Sequence, residues 1–271
     1  MRVLVVGGPT HDIVVVDRER TVRYGGPGIY VSAAASVLEL DLEVYVLGVV
    51  GWRTLGSLRV IGELGGLWIG TYFPWVEGLV FEHVYRGVNR VSSMIGTATA
   101  LPSSTIFNAI EKIRPDIVVL SPVYGEVTIG TPSLLYHNYN ECIFFDIQGL
   151  QRRGLARGLP PIVASFIHAS DKEAEDIYNI VKSHILETSG YGPIRLVHEN
   201  SVEVIGHAVG ELNDPTGAGD VFTFLFAYRF CRDYSVVESV EWASIITYNI
   251  LPTINDLVKN LSSDSHSLGD G

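Results

Sequence analysis

Short, continuous runs of apolar residues recur along the chain, each bounded by polar residues, glycine or proline. Such runs are typical of strands covered on both faces, as in a mostly parallel sheet. We expect strands at 3–6, 44–50, 117–120, 143–147, 163–167 and 195–198, and helices at 29–39, 105–112, 171–185, 220–232 and 236–250. The alternation of strand and helix predicts an α/β fold with helices on both faces of the sheet.

Two segments, 12–24 and 79–95, alternate apolar and polar residues instead. This period of two is typical of half-exposed antiparallel strands. Two interpretations remain open here: a small sheet standing off the main one, or a pair of plain surface hairpins. Residues 261–271 have the composition of a mobile tail, so we expect a single domain over residues 1–260.

Composition and charge limit the classes of partner. A chain of 271 residues can bury roughly 75% of the surface that its unfolded form exposes. With 47% hydrophobic and 18% charged residues, the chain has the composition of a folded globular protein. Its formal net charge is -11 without a run of Lys or Arg, which argues against nucleic-acid and acidic-membrane partners.

The two cysteines, Cys142 and Cys231, both lie in apolar contexts. We interpret them as buried free thiols in a reducing compartment rather than as a disulfide. No charged leader precedes the apolar run at 3–6, and no apolar stretch approaches the ~20 residues that span a bilayer. We therefore expect a soluble cytoplasmic protein, either a monomer or a homodimer.

The segment N-D-P-T-G-A-G-D-V-F-T-F-L-F at 213–226 places an aspartate directly before an almost wholly apolar run. The run predicts a buried helix whose first N–H groups lack partners and carry roughly half a positive charge. Gly217, Ala218 and Gly219 have little bulk, so an oxygen-rich anion could approach these N–H groups. Beside such an anion, Asp220 could accept the proton of an attacking hydroxyl. The alternative is that Asp220 only complements the helix dipole.

The motif D-P-T-G-A-G-D at 214–220 resembles the second signature of the ribokinase-like, or PfkB, family of carbohydrate kinases. The resemblance implies a ribokinase-like three-layer fold with a small β lid. It also implies ATP and Mg²⁺ as cofactors, Asp220 as the catalytic base, and an anion hole formed by Gly217, Ala218 and Gly219.

Further resemblance to the family extends from residue 2 to about residue 250. R-Y-G-G-P-G-I-Y at 23–30 is similar to the glycine pair and helix that cover the sugar site, and implies that Gly25, Gly26 and Tyr30 bind substrate. Asp12 matches the aspartate that grips substrate hydroxyls after the first strand. F-E-H-V-Y-R-G-V-N-R at 81–90 resembles the lid strand, with Arg90 as its basic residue.

On the nucleotide side, S-D-K-E at 170–173 resembles the family's N-x-x-E and implies that Glu173 organises hydrated Mg²⁺. A capped helix start explains the same letters and is compatible with that role. T-S-G-Y-G at 188–192 is one residue shorter than the family's T-x-G-x-x-G. It implies nucleotide contacts from Thr188, Gly190 and Gly192, with Asn249 close by.

Two segments depart from the ribokinase type. L-G-V-V-G-W-R-T-L-G at 47–56 lacks the aspartate that the family carries there. F-D-I-Q-G-L-Q-R at 145–152 is similar to the D-x-Q-G-x-x-R of the inositol-kinase branch. This similarity implies that Asp146, Gln148 and Arg152 lie near the transferred phosphate or the acceptor. The predicted function is an ATP-dependent kinase for a sugar or polyol, with myo-inositol preferred. A nucleoside or ketohexose kinase and a non-catalytic metabolite-binding homologue are the alternatives.

Overall fold

A computed structural model describes residues 1–16, 19–86, 89–139, 142–153, 161–190, 192–199, 201–212 and 214–266. The strands are β1 (Arg2–Val6), β2 (Thr10–Val16), β3 (Glu19–Gly25), β4 (Glu43–Leu47), β5 (Val49–Val50), β6 (Leu67–Trp68), β7 (Thr71–Tyr72), β8 (Leu79–Arg86), β9 (Asn89–Met94), β10 (Ile117–Leu120), β11 (Ile143–Asp146), β12 (Phe166–Ser170), β13 (His184–Thr188), β14 (Pro193–His198) and β15 (Ser201–His207). The helices are α1 (Pro27–Val37), α2 (Ser57–Glu63), α3 (Ser103–Ile113), α4 (Thr131–Tyr139), α5 (Gln148–Arg153), α6 (Asp171–Ile177), α7 (Ala218–Phe230) and α8 (Val236–His266).

The central sheet contains nine strands in the order β15-β14-β13-β12-β11-β10-β1-β4-β6. All pairs from β6 to β13 are parallel, whereas β14 and β15 add two antiparallel strands at one edge. Helices α1, α2, α7 and α8 contribute to the apolar cluster on one face of the sheet, and α3, α4 and α6 to the cluster on the other. The predicted α/β fold with helices on both faces is therefore confirmed.

The two alternating segments form one separate sheet rather than isolated surface hairpins. This small sheet has the strand order β3-β2-β8-β9. Its outer pairs, β2 with β3 and β8 with β9, are antiparallel hairpins, and a parallel pairing of β2 with β8 joins the two hairpins. The long-range pairing of β2 with β8 is the contact that a local alternation of residues does not reveal.

The helix predicted at 171–185 is wrong over its second half. Helix α6 ends at Ile177, and β13 begins at His184 and pairs in parallel with β12. The reason is that a short buried apolar run has no periodicity that separates a strand from a helix. The strand predicted at 163–167 likewise begins later, at Phe166, and the run at 44–50 divides into β4 and β5.

Helix α8 continues to His266 and contains Pro252, although the helical pattern predicts an end near residue 250. Residues 261–266, which fall within the predicted tail, belong to this helix. Ser262 is completely buried in this last part of the helix, and its hydroxyl accepts a hydrogen bond from the Tyr24 N–H of β3 at 3.0 Å. Residues 267–271 lie outside the described residues. Among the described residues, no helix is both long enough and apolar enough to span a membrane.

The prediction of two free thiols is wrong, because Cys142 and Cys231 form a disulfide. Their Cα atoms are 6.1 Å apart although the two residues are 89 positions apart in the chain. Cys142 directly precedes β11, and Cys231 directly follows α7, which packs on β11. The pairing depends on this packing of a late helix on an earlier strand, which the spacing of two cysteines does not indicate.

Candidate active site

The polar residues of the candidate site lie at the carboxyl edge of the central sheet. Ser121 directly follows β10, Asp146 ends β11, and His168 lies near the end of β12. Parallel strands bring their carboxyl ends to the same edge, and ligands of open α/β sheets bind in the crevice outside it. The N-terminus of α7 lies at this edge, because a Cβ atom built on Gly219 would contact both His168 and Asp146.

A tight turn at Gly217 starts helix α7. Gly217 has a φ of 81°, and a Cβ atom there would overlap the ring of Tyr30, so the position requires glycine. The Ala218 N–H donates to the Pro215 carbonyl at 3.0 Å and closes the turn. In the described part of the chain, the N–H groups of Gly219 and Asp220 have no hydrogen-bond acceptor. These two amides, together with the helix dipole, can therefore bind an anion.

Asp220 lies in the first turn of α7 and accepts a hydrogen bond from the Ser121 hydroxyl at 2.9 Å. Burial and the negative charge of Asp146 raise the pKa of Asp220 to about 7, against the opposing effects of Ser121, Arg152 and His168. A carboxylate with a pKa near neutrality holds a proton much more readily than an ordinary aspartate. Asp220 is therefore suited to accept a proton from a neighbouring hydroxyl.

Asp146 and His168 form a buried pair beneath the start of α7. The Nδ1 atom of His168 lies 3.0 Å from Oδ2 of Asp146, and its Nε2 atom lies 3.1 Å from the hydroxyl of Thr188. The other carboxylate oxygen of Asp146 accepts the N–H of Gln148 at 2.9 Å. Both oxygens of Asp146 are thus held by hydrogen bonds while the residue is only 4% exposed.

Asp12 and His83 bring a second pair of polar side chains from the small sheet. Nε2 of His83 lies 3.7 Å from Oδ1 of Asp12, and Nδ1 of His83 lies 2.8 Å from the Ser92 hydroxyl. The ring of Phe81 stacks beside His83, and the Arg152 guanidinium lies 5.7 Å from the centre of the Phe81 ring. The small sheet therefore supplies both polar and aromatic groups to the site.

These groups surround a cavity of about 120 Å³ between the small sheet and the start of α7, here called the central cavity. It brings together nine residues for which the sequence predicts a role: Asp12, Gly26, Tyr30, Asp146, Gln148, Arg152, Gly217, Gly219 and Asp220. Positions from four distant parts of the chain thus meet at one place. The wall also contains polar and aromatic residues that carry no sequence prediction, among them Thr10, Phe81, His83, Ser121 and Thr216.

A second cavity of about 140 Å³ lies on the other side of Gly219 and is here called the apolar cavity. Its exposed wall is mainly apolar, with contributions from Ile194, Val209, Leu212 and Phe222. Four predicted residues, Thr188, Gly190, Ala218 and Gly219, also line it. Gly219 borders both cavities, so the start of α7 is the place where their contents would meet.

Solved structures with the same architecture are known, whereas neither protein-family models nor curated protein sequences match this chain. Ribokinase from Thermotoga maritima is 17% identical, with 98% of this chain and 99% of that chain covered and a TM-score of 0.71. A pyrophosphate-dependent kinase in the ribokinase family, complexed with a pyrophosphate analog and myo-inositol, is 19% identical, with 91% and 93% covered and a TM-score of 0.69. Ribokinase from Cryptococcus neoformans in complex with ADP is 15% identical, with 96% and 99% covered and a TM-score of 0.69.

The chain has the ribokinase-like fold. At these identities the likeness concerns the fold, and the roles of individual side chains depend on the geometry of this chain. Within the ribokinase-like fold of this protein, the two cavities flank the start of α7, and Asp220 lies on the side of the central cavity.

Not all predicted binding residues contribute in the predicted way. Tyr30 is 1% exposed, and its ring packs beneath Gly217, so it supports the turn as well as bordering the central cavity. Gly25 lies behind Asp12, where a Cβ atom would come within 2.6 Å of the Asp12 carboxylate. Arg90 belongs to β9, but its side chain lies outside the described residues.

The predicted nucleotide-side residues divide in a similar way. Gly192 closes a turn by donating its N–H to the Ser189 carbonyl at 2.9 Å, but it does not line the apolar cavity. Asn249 lines a separate groove of about 780 Å³ between α8 and β3. The structure therefore does not bring Asn249 together with Thr188 and Gly190. Two preceding residues of α8, Thr247 and Tyr248, line the apolar cavity instead. Asn249 points away from it because successive residues of a helix point about 100° apart.

Glu173 has a capping role at the start of α6. Its carboxylate accepts the N–H of Ser170 at 2.8 Å, which is the helix-start interpretation of this segment. Among the described residues, no group of three or more His, Cys, Asp or Glu side chains could hold a metal directly. Glu173 lines neither the central cavity nor the apolar cavity.

Sequence reasoning missed Ser121, His168 and Arg23. Ser121 and His168 follow or end parallel strands at the carboxyl edge, and this position was the available signal. Arg23 had no such signal. It reaches from β3 to the loop before α7, where it donates to Asp214 at 2.7 Å and to Thr216 at 2.8 Å.

Proposed function

We propose that this chain is a kinase that transfers the terminal phosphoryl group of ATP to a hydroxyl of a small sugar or polyol. The observation that carries the proposal is the position of Asp220. The pKa of its carboxyl is raised to about 7, and it lies in the wall of the central cavity, beside amides at the start of α7 that have no acceptor among the described residues. A non-catalytic metabolite-binding homologue, the competing class, would have no use for a base at this point.

In the proposed reaction, the acceptor hydroxyl lies in the central cavity within reach of Asp220. Asp220 accepts the hydroxyl proton as the oxygen attacks the phosphorus, while Ser121 holds the carboxylate in place. The N–H groups of Gly219 and Asp220 bind the oxygens of the migrating phosphoryl group. Phosphoryl transfer depends mainly on such alignment and charge stabilisation, so these few groups are sufficient.

The donor would lie in the apolar cavity with its phosphates directed at Gly219. The aliphatic and aromatic wall suits a flat base. The phosphates would lie near Thr188 and Gly190, which line the same cavity. Mg²⁺, when bound, would offset the charge of the phosphates, with Glu173 contacting it through water. The ADP in the Cryptococcus neoformans ribokinase structure supports a nucleotide donor.

The acceptor best supported is a single-ring polyol, with myo-inositol preferred. Asp12 and Asp146 offer carboxylate oxygens to hydroxyl donors, as a ring with many hydroxyls requires. The segment F-D-I-Q-G-L-Q-R and the myo-inositol complex of the similar pyrophosphate-dependent kinase also support this choice. A nucleoside and a ketohexose are the alternatives.

The proposed lid is the small sheet, which supplies Asp12, Phe81 and His83 to the central cavity. By closing over the acceptor it would exclude water and limit wasteful hydrolysis of ATP. The cytoplasmic location and the monomeric or homodimeric state stay predictions.

The test is incubation of the purified protein with ATP, Mg²⁺ and a panel of polyols, hexoses and nucleosides, with ADP release and the phosphorylated product measured. We expect ADP release with myo-inositol. The variant Asp220→Asn should lose about 100-fold or more in turnover while retaining acceptor binding. Asp41→Asn, an exposed aspartate in a turn, is the matched control and should behave like the wild type.

Three outcomes of this experiment contradict parts of the proposal. Absence of turnover with every acceptor would contradict the proposed kinase activity. Full turnover by the Asp220→Asn variant would show that Asp220 is not the catalytic base. Turnover that requires pyrophosphate in place of ATP retains phosphoryl transfer but replaces the donor.

A further inference from the structure

His168 connects the two cavities through its two ring nitrogens. Its Nδ1 atom faces the Asp146 carboxylate at 3.0 Å, and its Nε2 atom faces the Thr188 hydroxyl at 3.1 Å. Asp146 lines the central cavity, and Thr188 lines the apolar cavity. The residue is only 8% exposed, so its partners are these two groups rather than solvent.

The imidazole also lies directly against the start of α7. A Cβ atom built on Gly219 would be 3.4 Å from Cε1 of His168 and 3.8 Å from the Asp146 carboxylate. The backbone of the proposed anion site therefore lies beside the pair. On its other side the ring contacts Phe222, with ring centres 5.6 Å apart, which limits its rotation.

The hydrogen-bond partners restrict which protons His168 can carry. An ionised carboxylate only accepts hydrogen bonds, so Nδ1 must carry a hydrogen when it faces Asp146. A neutral ring then accepts the Thr188 hydroxyl proton at Nε2. A protonated ring instead donates from Nε2 to the Thr188 oxygen, which leaves the hydroxyl proton of Thr188 available to a ligand in the apolar cavity.

The charged groups that surround His168 favour the protonated ring. Asp146 faces it from β11, Glu173 from α6 and Asp220 from α7, and all three are acidic. Burial by itself lowers the pKa of His168, but the hydrogen bond and charge of Asp146, followed by the charges of Glu173 and Asp220, raise it overall. The neighbouring strand β13 contributes the uncharged Thr188.

We propose that His168 is a positioning residue that orients the Thr188 hydroxyl towards the phosphates of the donor while it holds the Asp146 carboxylate towards the acceptor. The donor side of this inference rests on the proposed function. His168 thereby links the two binding sites. A ligand that moves the Thr188 hydroxyl in one site would change the position of the Asp146 carboxylate in the other.

The test is a double-mutant cycle on the affinity for ADP and Mg²⁺, measured by calorimetry. His168→Asn keeps a donor near Asp146 but is too short to reach Thr188, and Thr188→Val removes the hydroxyl. Each single variant should weaken ADP binding about 10-fold, and the double variant should bind no more weakly than either single one. Effects that multiply to about 100-fold would show that the two residues act independently and would overturn the proposal.

Two further variants keep the test decisive. Thr188→Ser retains the hydroxyl and should bind ADP like the wild type, so it reports on the link even if His168→Asn does not fold. His137→Asn changes an exposed histidine of α4 and is the matched control. Weak binding by Thr188→Ser, equal to that of Thr188→Val, would contradict the role of the hydroxyl.

A pH titration separates positioning from simple structural support. The His168 ring signal can be assigned by comparing nuclear magnetic resonance spectra of the wild type and His168→Asn. ADP affinity of the wild type should fall as the ring loses its proton, and Thr188→Val should lack this dependence. A wild-type affinity that is constant through the ring titration would overturn the proposal.

The binding readout also separates this inference from the proposed function. A protein that binds ADP with the expected non-additivity but phosphorylates no acceptor would contradict the proposed activity and support the link. If the wild type binds no ADP, the same cycle is measured with pyrophosphate. Unchanged pyrophosphate affinity in both variants would then overturn the inference as well.

Discussion

Strand β11 and helix α7 form a pair whose two ends differ sharply. At one end, the disulfide between Cys142 and Cys231 joins the start of β11 to the end of α7. At the other end, the same two elements carry Asp146 and Asp220, whose mutual repulsion contributes to the raised pKa of Asp220. One end is therefore covalently closed, and the other holds two acidic groups close together.

The difference reflects what each end contributes to the protein. The disulfide stabilises mainly by restricting the unfolded chain. The acidic end costs stability, because buried carboxylates without full compensation disfavour their charged form. A carboxyl group with a raised pKa can accept and release a proton near neutral pH, as proton transfer in catalysis requires. The disulfide thus stabilises one end of the β11–α7 pair, whereas the two carboxylates at the other end reduce stability and supply the candidate active site.

Removal of the disulfide should have the largest effect on stability. The bond closes a loop across 89 positions of sequence separation, and loss of such a bond costs about 2–5 kcal/mol in the free energy of unfolding. We expect this loss in urea unfolding of Cys142→Ser/Cys231→Ser and of the reduced wild type. The double variant should no longer respond to reductant. Equal stability of the oxidised and reduced wild type would show that the link contributes nothing to the frame.

Replacement of Asp220 should stabilise the fold at high pH. The folded pKa of about 7 lies above the unfolded value of 3.8, so the folded state binds more protons between these values and loses stability as the pH rises through them. Asp220→Asn should therefore exceed the wild type by about 1–3 kcal/mol at pH 8 and by much less at pH 4. Unfolding in urea at the two pH values measures this. A gain that is the same at both would contradict the raised pKa.

Release of Arg23 should have the smallest effect and should act on the acceptor side. Arg23 ties β3 of the small sheet to Asp214 and Thr216 in the loop before α7. Arg23→Met should raise the KM for the acceptor about 3- to 10-fold, with little change in kcat, because the lid is held less firmly. Arg59→Met, which breaks an exposed pair with Glu63 worth about 0.3–0.5 kcal/mol, is the control. An equal change in both variants would remove the special role of Arg23.

The sequence by itself determined the architecture and most of the central cavity. Continuous apolar runs are a local property that predicts buried parallel strands, and Gly217 before α7 is required by a local turn. Asp12, Asp146 and Asp220 could therefore be predicted as site residues from their motifs, and the structure places all three on one cavity.

Only the tertiary structure decided the features that depend on distant neighbours. The order of the strands places β11, β12 and β13 side by side, and this alone brings Asp146, His168 and Thr188 into contact. The disulfide likewise depends on the packing of α7 against β11. The pKa of Asp220 follows from burial and from the charges around it, which no sequence pattern contains. Local periodicity specifies elements, whereas electrostatics and cross-links arise from which elements meet.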